Sequence, residues 1–144
     1  MLNAVERREH QHRDFVAGAS SWGVKSADLL RGFGLTAVAP GQPFYFTSEA
    51  EVTTWRGTLG TDGNVTDCRV FVQQGGESVA VDAAGNVYLA AGELYVYNPQ
   101  GRLIDTIPTP ERPIQLVFGG KDRRTLFITA RGSLYSVRTR IPGR

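Results

Sequence analysis

The stretch Ser78-Val79-Ala80-Val81-Asp82-Ala83-Ala84-Gly85-Asn86-Val87-Tyr88-Leu89-Ala90-Ala91-Gly92-Glu93-Leu94-Tyr95-Val96-Tyr97 decides the fold class. It contains short runs rich in Val, Leu and Tyr, side chains that pack well on a pleated surface. The runs are split by Asp82-Ala83-Ala84-Gly85 and by Gly92-Glu93. Gly accepts positive φ and Asp caps its own backbone, so these joints favour hairpins over helices. A further run, Arg102 to Ile107, follows the turn sequence Asn98-Pro99-Gln100-Gly101. The predicted unit is four antiparallel strands: Ser78 to Asp82, Asn86 to Ala91, Leu94 to Tyr97 and Arg102 to Ile107.

The same wording returns downstream. Val79-Ala80-Val81 aligns with Leu116-Val117-Phe118, Val87-Tyr88-Leu89 with Phe127-Ile128-Thr129, and Gly92-Glu93-Leu94-Tyr95 with Gly132-Ser133-Leu134-Tyr135. The internal period of about 37 to 40 residues is that of one propeller blade. An earlier unit is laid out as Leu35 to Val38, Phe44 to Thr47, Val52 to Arg56 and Cys68 to Val72, with Thr61-Asp62-Gly63-Asn64 as its outer turn. The last unit has three strands before Arg140-Ile141-Pro142-Gly143-Arg144, which leaves an open outer edge to be covered. The expected architecture is all-β: a partial antiparallel β-propeller of about three blades over residues 34–144, preceded by a short mixed segment over residues 1–33. In that segment Ser26-Ala27-Asp28-Leu29-Leu30 reads as a capped turn or short helix ended by Gly32, and Arg13-Asp14-Phe15-Val16 as an outer strand resembling Arg69-Val70-Phe71-Val72. Leu116, Phe118, Phe127, Ile128, Val79, Val81, Tyr88 and Leu89 are the expected core between blades.

Composition agrees with one compact domain. The 144 residues are 41% hydrophobic and 21% charged, enough apolar material for a soluble core. Sixteen basic against 14 acidic side chains give a net charge of +2, so no whole-molecule field draws the chain to a polyanion. The basic run from Lys121 to Arg144 lacks aromatic groups spaced for base stacking and reads as solvated surface, which argues against a nucleic-acid partner. Cys68 is alone, so it cannot form an internal disulfide and reads as a reduced thiol in a strand. Residues 1–13 lack the apolar run of an export signal, and no stretch approaches a spanning helix. A soluble protein with no membrane partner is expected, with its localisation left open.

Three pieces carry a family likeness: Ser78 through Tyr88, then Phe118-Gly119-Gly120-Lys121-Asp122, then Thr125-Leu126-Phe127-Ile128-Thr129-Ala130. At these distances they resemble the senescence-marker-protein/gluconolactonase family, over about residues 35 to 138, corresponding to the final three of that family's six blades. The resemblance implies metal-dependent hydrolysis of a lactone or related ester, with a sugar lactone as the small-molecule partner. It also implies a divalent cation, often calcium, held by oxygen ligands at the mouth of the central tunnel. The family's late-blade motif is Asp followed by Gly or Ser before the innermost strand, and the matching pair here is Glu77-Ser78. Glu77 is therefore the candidate general base or metal ligand, and Ser78 a candidate ligand. The alternative is that Glu77 is a polar residue of the Gly75-Gly76 loop and Ser78 caps its own turn.

The chain also departs from the pattern. Phe33-Gly34-Leu35 stands where the family commonly has Asn before Gly-Leu, and the first-blade ligand has no counterpart here. A non-catalytic propeller fragment or binding module is thus the rival reading. Asp82 and Asp122 read as turn caps, and His10-Gln11-His12 as a solvated pair without a third ligand. Three blades in an open arc suggest a homodimer that completes a six-bladed ring, with residues 13 to 16 of one copy beside residues 134 to 138 of the other.

Overall fold

A computed structural model describes residues 33–35 and 39–144. Three antiparallel sheets follow one another along the chain. The first blade is β1 (Phe33–Leu35), β2 (Pro43–Ser48), β3 (Thr53–Leu59) and β4 (Val65–Val72). The second is β5 (Ser78–Val81), β6 (Val87–Ala91), β7 (Glu93–Tyr97) and β8 (Leu103–Ile107). The third is β9 (Pro113–Gly119), β10 (Thr125–Ala130) and β11 (Leu134–Arg138). In each blade, neighbours in sequence are neighbours in the sheet, the meander that short turns between antiparallel strands produce.

The predicted second and third units match these strands closely, and the first differs in instructive ways. Val52 was expected to open a strand but closes the preceding turn, with φ 50° and its N–H donated to the Glu49 carbonyl at 3.1 Å. The last strand of the unit starts earlier than Cys68 because a bulge, with Asp67 at φ 52°, lets Val65 and Thr66 rejoin the β3 ladder. The turn after β3 forms where expected, and Asp62 accepts the Asn64 N–H at 3.1 Å. The expected strand residues 36–38, the helical turn at 26–32, the outer strand at 13–16 and the pair His10 and His12 lie outside the described residues.

The core lies between blades. Residues alternate faces along a strand, so β6 sends Val87 and Leu89 one way and Tyr88 and Ala90 the other. Val87 and Leu89 join Tyr45, Val79, Val81 and Tyr97, against Phe71 and Val72 of the first blade. Tyr88 and Ala90 join Leu94, Val96, Leu116, Leu126 and Ile128, against Phe118 and Val137 of the third. The central blade is buried on both faces, hence the near-continuous apolar reading of Val87–Ala91.

Phe127 corrects the expected core list. Its neighbours Leu126 and Ile128 face the second blade, so Phe127 points to the opposite side, opposite Val117 on β9, and is only partly buried. The last residues are stitched to the rest of the chain. Ala83 donates to the Pro142 carbonyl at 2.8 Å, Arg144 to Val81 at 3.0 Å and Gly143 to Arg123 at 2.7 Å. Among the described residues β11 pairs with β10 alone and carries no fourth strand.

Candidate functional site

The inner strands β1, β5 and β9 begin at one end of the blades, and the β2–β3, β6–β7 and β10–β11 turns share that end. The linker Gln73-Gln74-Gly75-Gly76-Glu77 crosses it from β4 to β5. The two glycines are required by close approach. A Cβ on Gly75 would sit 1.8 Å from the Ser48 carbonyl oxygen, and one on Gly76 would sit 2.2 Å from the Ala90 oxygen. Without side chains, the linker backbone can lie against both blades.

A chain of hydrogen bonds then fixes it. Gly76 N–H donates to the Thr47 hydroxyl at 2.9 Å, the Thr47 and Thr54 hydroxyls meet at 2.8 Å, and Thr54 donates to the Gln74 carbonyl at 2.7 Å. Because the Thr54 proton goes to Gln74, Thr47 is the donor in the shared bond. Both threonines are fully buried, where an unmade hydrogen bond is costly. Tyr97 donates to the Gln74 side-chain carbonyl, tying the linker to the second blade. Glu77 N–H donates to Ala90 at 2.8 Å, which places Glu77 immediately before β5.

The Glu77 side chain is partly exposed and meets Arg112, which stands immediately before β9. Arg112 Nε donates to Glu77 Oε1 at 3.2 Å, and its Nη2 lies 3.1 Å from the same oxygen. The same Nη2 is also paired with Glu49 of the β2–β3 turn. One guanidinium thus joins carboxylates from the first two blades, and each of the three blades contributes one charged residue.

Ser78 is buried, and its Oγ accepts the Leu116 N–H at 3.1 Å, a link between the inner strands β5 and β9. Glu111 turns away into its own blade and accepts hydrogen bonds from Ser133 at 2.6 Å and Tyr135 at 2.8 Å. Those two bonds hold its carboxyl below the usual range. Phe33 stands in register with Ser48 at the start of β1.

The acids expected to be turn caps lie at the other end of the blades. Asp82 is completely buried and accepts from Ala84 N–H and Asn86 N–H, both at 2.9 Å, and from Asn86 Nδ2 at 2.8 Å. Asp122 caps the β9–β10 turn and binds Arg138, whose hydrogen bonds hold its carboxyl well below the ordinary range. A groove of about 600 Å³ between the second and third blades is lined by Tyr88, Ile104, Val137 and Arg138 and includes neither Glu77 nor Arg112.

Sequence reasoning singled out Glu77 and Ser78 and missed Glu49 and Arg112. The repeat carried a usable signal, since residues just before each inner strand must emerge at the same end. It did not show which of those side chains would meet. Among the described residues no three His, Cys, Asp or Glu side chains form a group that could hold a metal ion. Among the same residues, no helix is long and apolar enough to cross a membrane.

The family described as the SMP-30/gluconolactonase/LRE-like region matches residues 34–132, more than half of the chain. A provisionally assigned gluconolactonase of known structure is similar at 28% identity and a TM-score of 0.61, over 76% of this chain and 39% of that one. A gluconolactonase from Xanthomonas campestris is similar at 27% identity and a TM-score of 0.60, over 77% of this chain and 37% of its own. The calcium-binding protein regucalcin from Agrobacterium tumefaciens strain C58 shares the fold at 20% identity and a TM-score of 0.66, over 77% of this chain and 46% of its own. The chain therefore spans less than half the length of each of these three structures. No curated protein matches it in sequence.

Proposed function

The chain belongs to the SMP-30/gluconolactonase/LRE-like family, and on that premise we propose that it hydrolyses a lactone or related carboxylic ester, with a sugar lactone as the substrate class, at the end of the blades where Glu77 meets Arg112. The observation that carries this reading is the placement of Glu77, locked by its linker at the start of an inner strand and facing a cation from the next blade. A carboxylate in that setting takes a proton from water as the water attacks the lactone carbonyl. The N–H groups of Arg112 donate to the carbonyl oxygen as negative charge develops on it. Collapse of the tetrahedral intermediate breaks the ring C–O bond, and the proton held by Glu77 passes to the departing alkoxide.

The family resemblance brings a divalent cation into the proposal, and the calcium named for the regucalcin relative makes calcium the first ion to test. Such an ion takes six to eight oxygen ligands and would polarise the carbonyl when bound. The described donor set does not fit it. Glu49 and Glu77 are both engaged by Arg112, and the Ser78 hydroxyl accepts from Leu116.

The proposal extends to a second copy of the chain. Val117 and Leu134 are exposed on the face of the third blade that carries Phe127, apolar surface that a further blade would cover. The rival reading, a non-catalytic binding module, draws on the pairing of both carboxylates with Arg112.

A panel of lactones assayed with and without calcium separates the two readings, and light scattering on the same sample reads the assembly. Turnover that falls by about a hundredfold or more in Glu77→Gln supports hydrolysis. Absence of turnover across the panel favours the binding module, whereas equal turnover in the variant removes Glu77 from the reaction.

A further inference from the structure

We infer that the guanidinium of Arg112 is the resident cation at this end of the blades, and that it excludes a divalent ion from the pair of carboxylates on Glu49 and Glu77. Three observations converge on it. Glu49 comes from the β2–β3 turn, Glu77 from the linker before β5 and Arg112 from the residue before β9, so three blades bring one cation between two anions. The nearby hydroxyl of Ser78 is buried and directed at the Leu116 N–H. No third carboxylate, histidine or cysteine joins the group among the described residues.

The chemistry of the two kinds of cation explains the exclusion. A hard divalent ion needs several oxygens arranged around it, whereas a guanidinium presents several N–H donors in a plane and is satisfied by two carboxylates. A divalent ion entering here meets a positive charge already in place between the two carboxylates that would hold it.

The inference concerns cation binding and does not depend on lactone turnover, so the two fail separately. The test is calorimetric titration of the full chain with calcium, paired with terbium luminescence, on the parent, Arg112→Gln, Glu77→Gln and the triple variant Arg112→Gln/Glu49→Gln/Glu77→Gln. Arg112→Gln is expected to bind calcium at least about tenfold more tightly than the parent, because removing the competing charge leaves both carboxylates free. The triple variant is expected to lose that gain. Equal calcium affinity in the parent and Arg112→Gln overturns the inference, as does a gain that survives in the triple variant. If Arg112→Gln does not fold, the parent still decides: saturable terbium binding that disappears in Glu77→Gln overturns the inference, and binding unchanged by Glu77→Gln supports it.

Discussion

The backbone N–H of Gly76 donates to the buried hydroxyl of Thr47 at 2.9 Å, so the residue before Glu77 is held by a side chain from the neighbouring blade. Thr47→Val keeps the shape and removes the acceptor. It is expected to cost about 1–3 kcal/mol in urea denaturation, because the Gly76 N–H loses its acceptor and the Thr54 hydroxyl loses the bond it accepts from Thr47. Gly76→Ala is expected to cost about 1–3 kcal/mol through overpacking, since the added methyl would collide with the Ala90 backbone oxygen.

Asp82 supplies the contrasting case of a buried acid whose work is structural. It accepts from two backbone N–H groups and the Asn86 side chain in the β5–β6 turn, away from Glu77. Asp82→Ala is expected to lower stability by about 1–3 kcal/mol. At a temperature where the variant remains folded, its lactone turnover should equal the parent's. A selective loss of turnover would move chemistry to this end of the blades.

Adjacent positions on β10 test the facing of the third blade. Leu126 has no exposed surface and packs on the second blade, whereas Phe127 faces away. Leu126→Ala is expected to cost about 2–5 kcal/mol in thermal or urea melts. Phe127→Ala should cost clearly less despite removing a larger side chain, and the reverse order would show that the strand is turned over.

Tyr88 gives a pH dependence with a definite sign. Burial, reinforced by the Asp82 carboxylate, pushes its phenol from the ordinary 10.0 up to about 12. The unfolded chain therefore loses this proton first as pH rises. The stability attached to the neutral phenol is full below pH 10.0 and is lost as pH rises to about 12. Melting curves across that window should show a steeper fall for the parent than for Tyr88→Phe.

The second and third blades were legible in the sequence because their strands are short, their turns contain Gly, Pro, Asn and Asp, and the unit repeats. All of this is local chemistry. The first blade was read less accurately, since Val52 looks like a strand residue by type. It instead ends the turn that its N–H closes on Glu49, at a positive φ. Phe127 shows the same limit in the core: the apolar run Leu126-Phe127-Ile128 does not reveal which of its faces meets a neighbour.

The amino-acid order by itself determined the all-β class, the blade period and the position of Glu77 just before an inner strand, because turn preference and alternation act over a few residues. Tertiary structure alone decided what Glu77 meets. Glu49 and Arg112 are separated by 63 positions, yet one guanidinium joins them once the sheets stack. That meeting depends on how the core orients whole blades, a balance of packing across interfaces that no local pattern encodes.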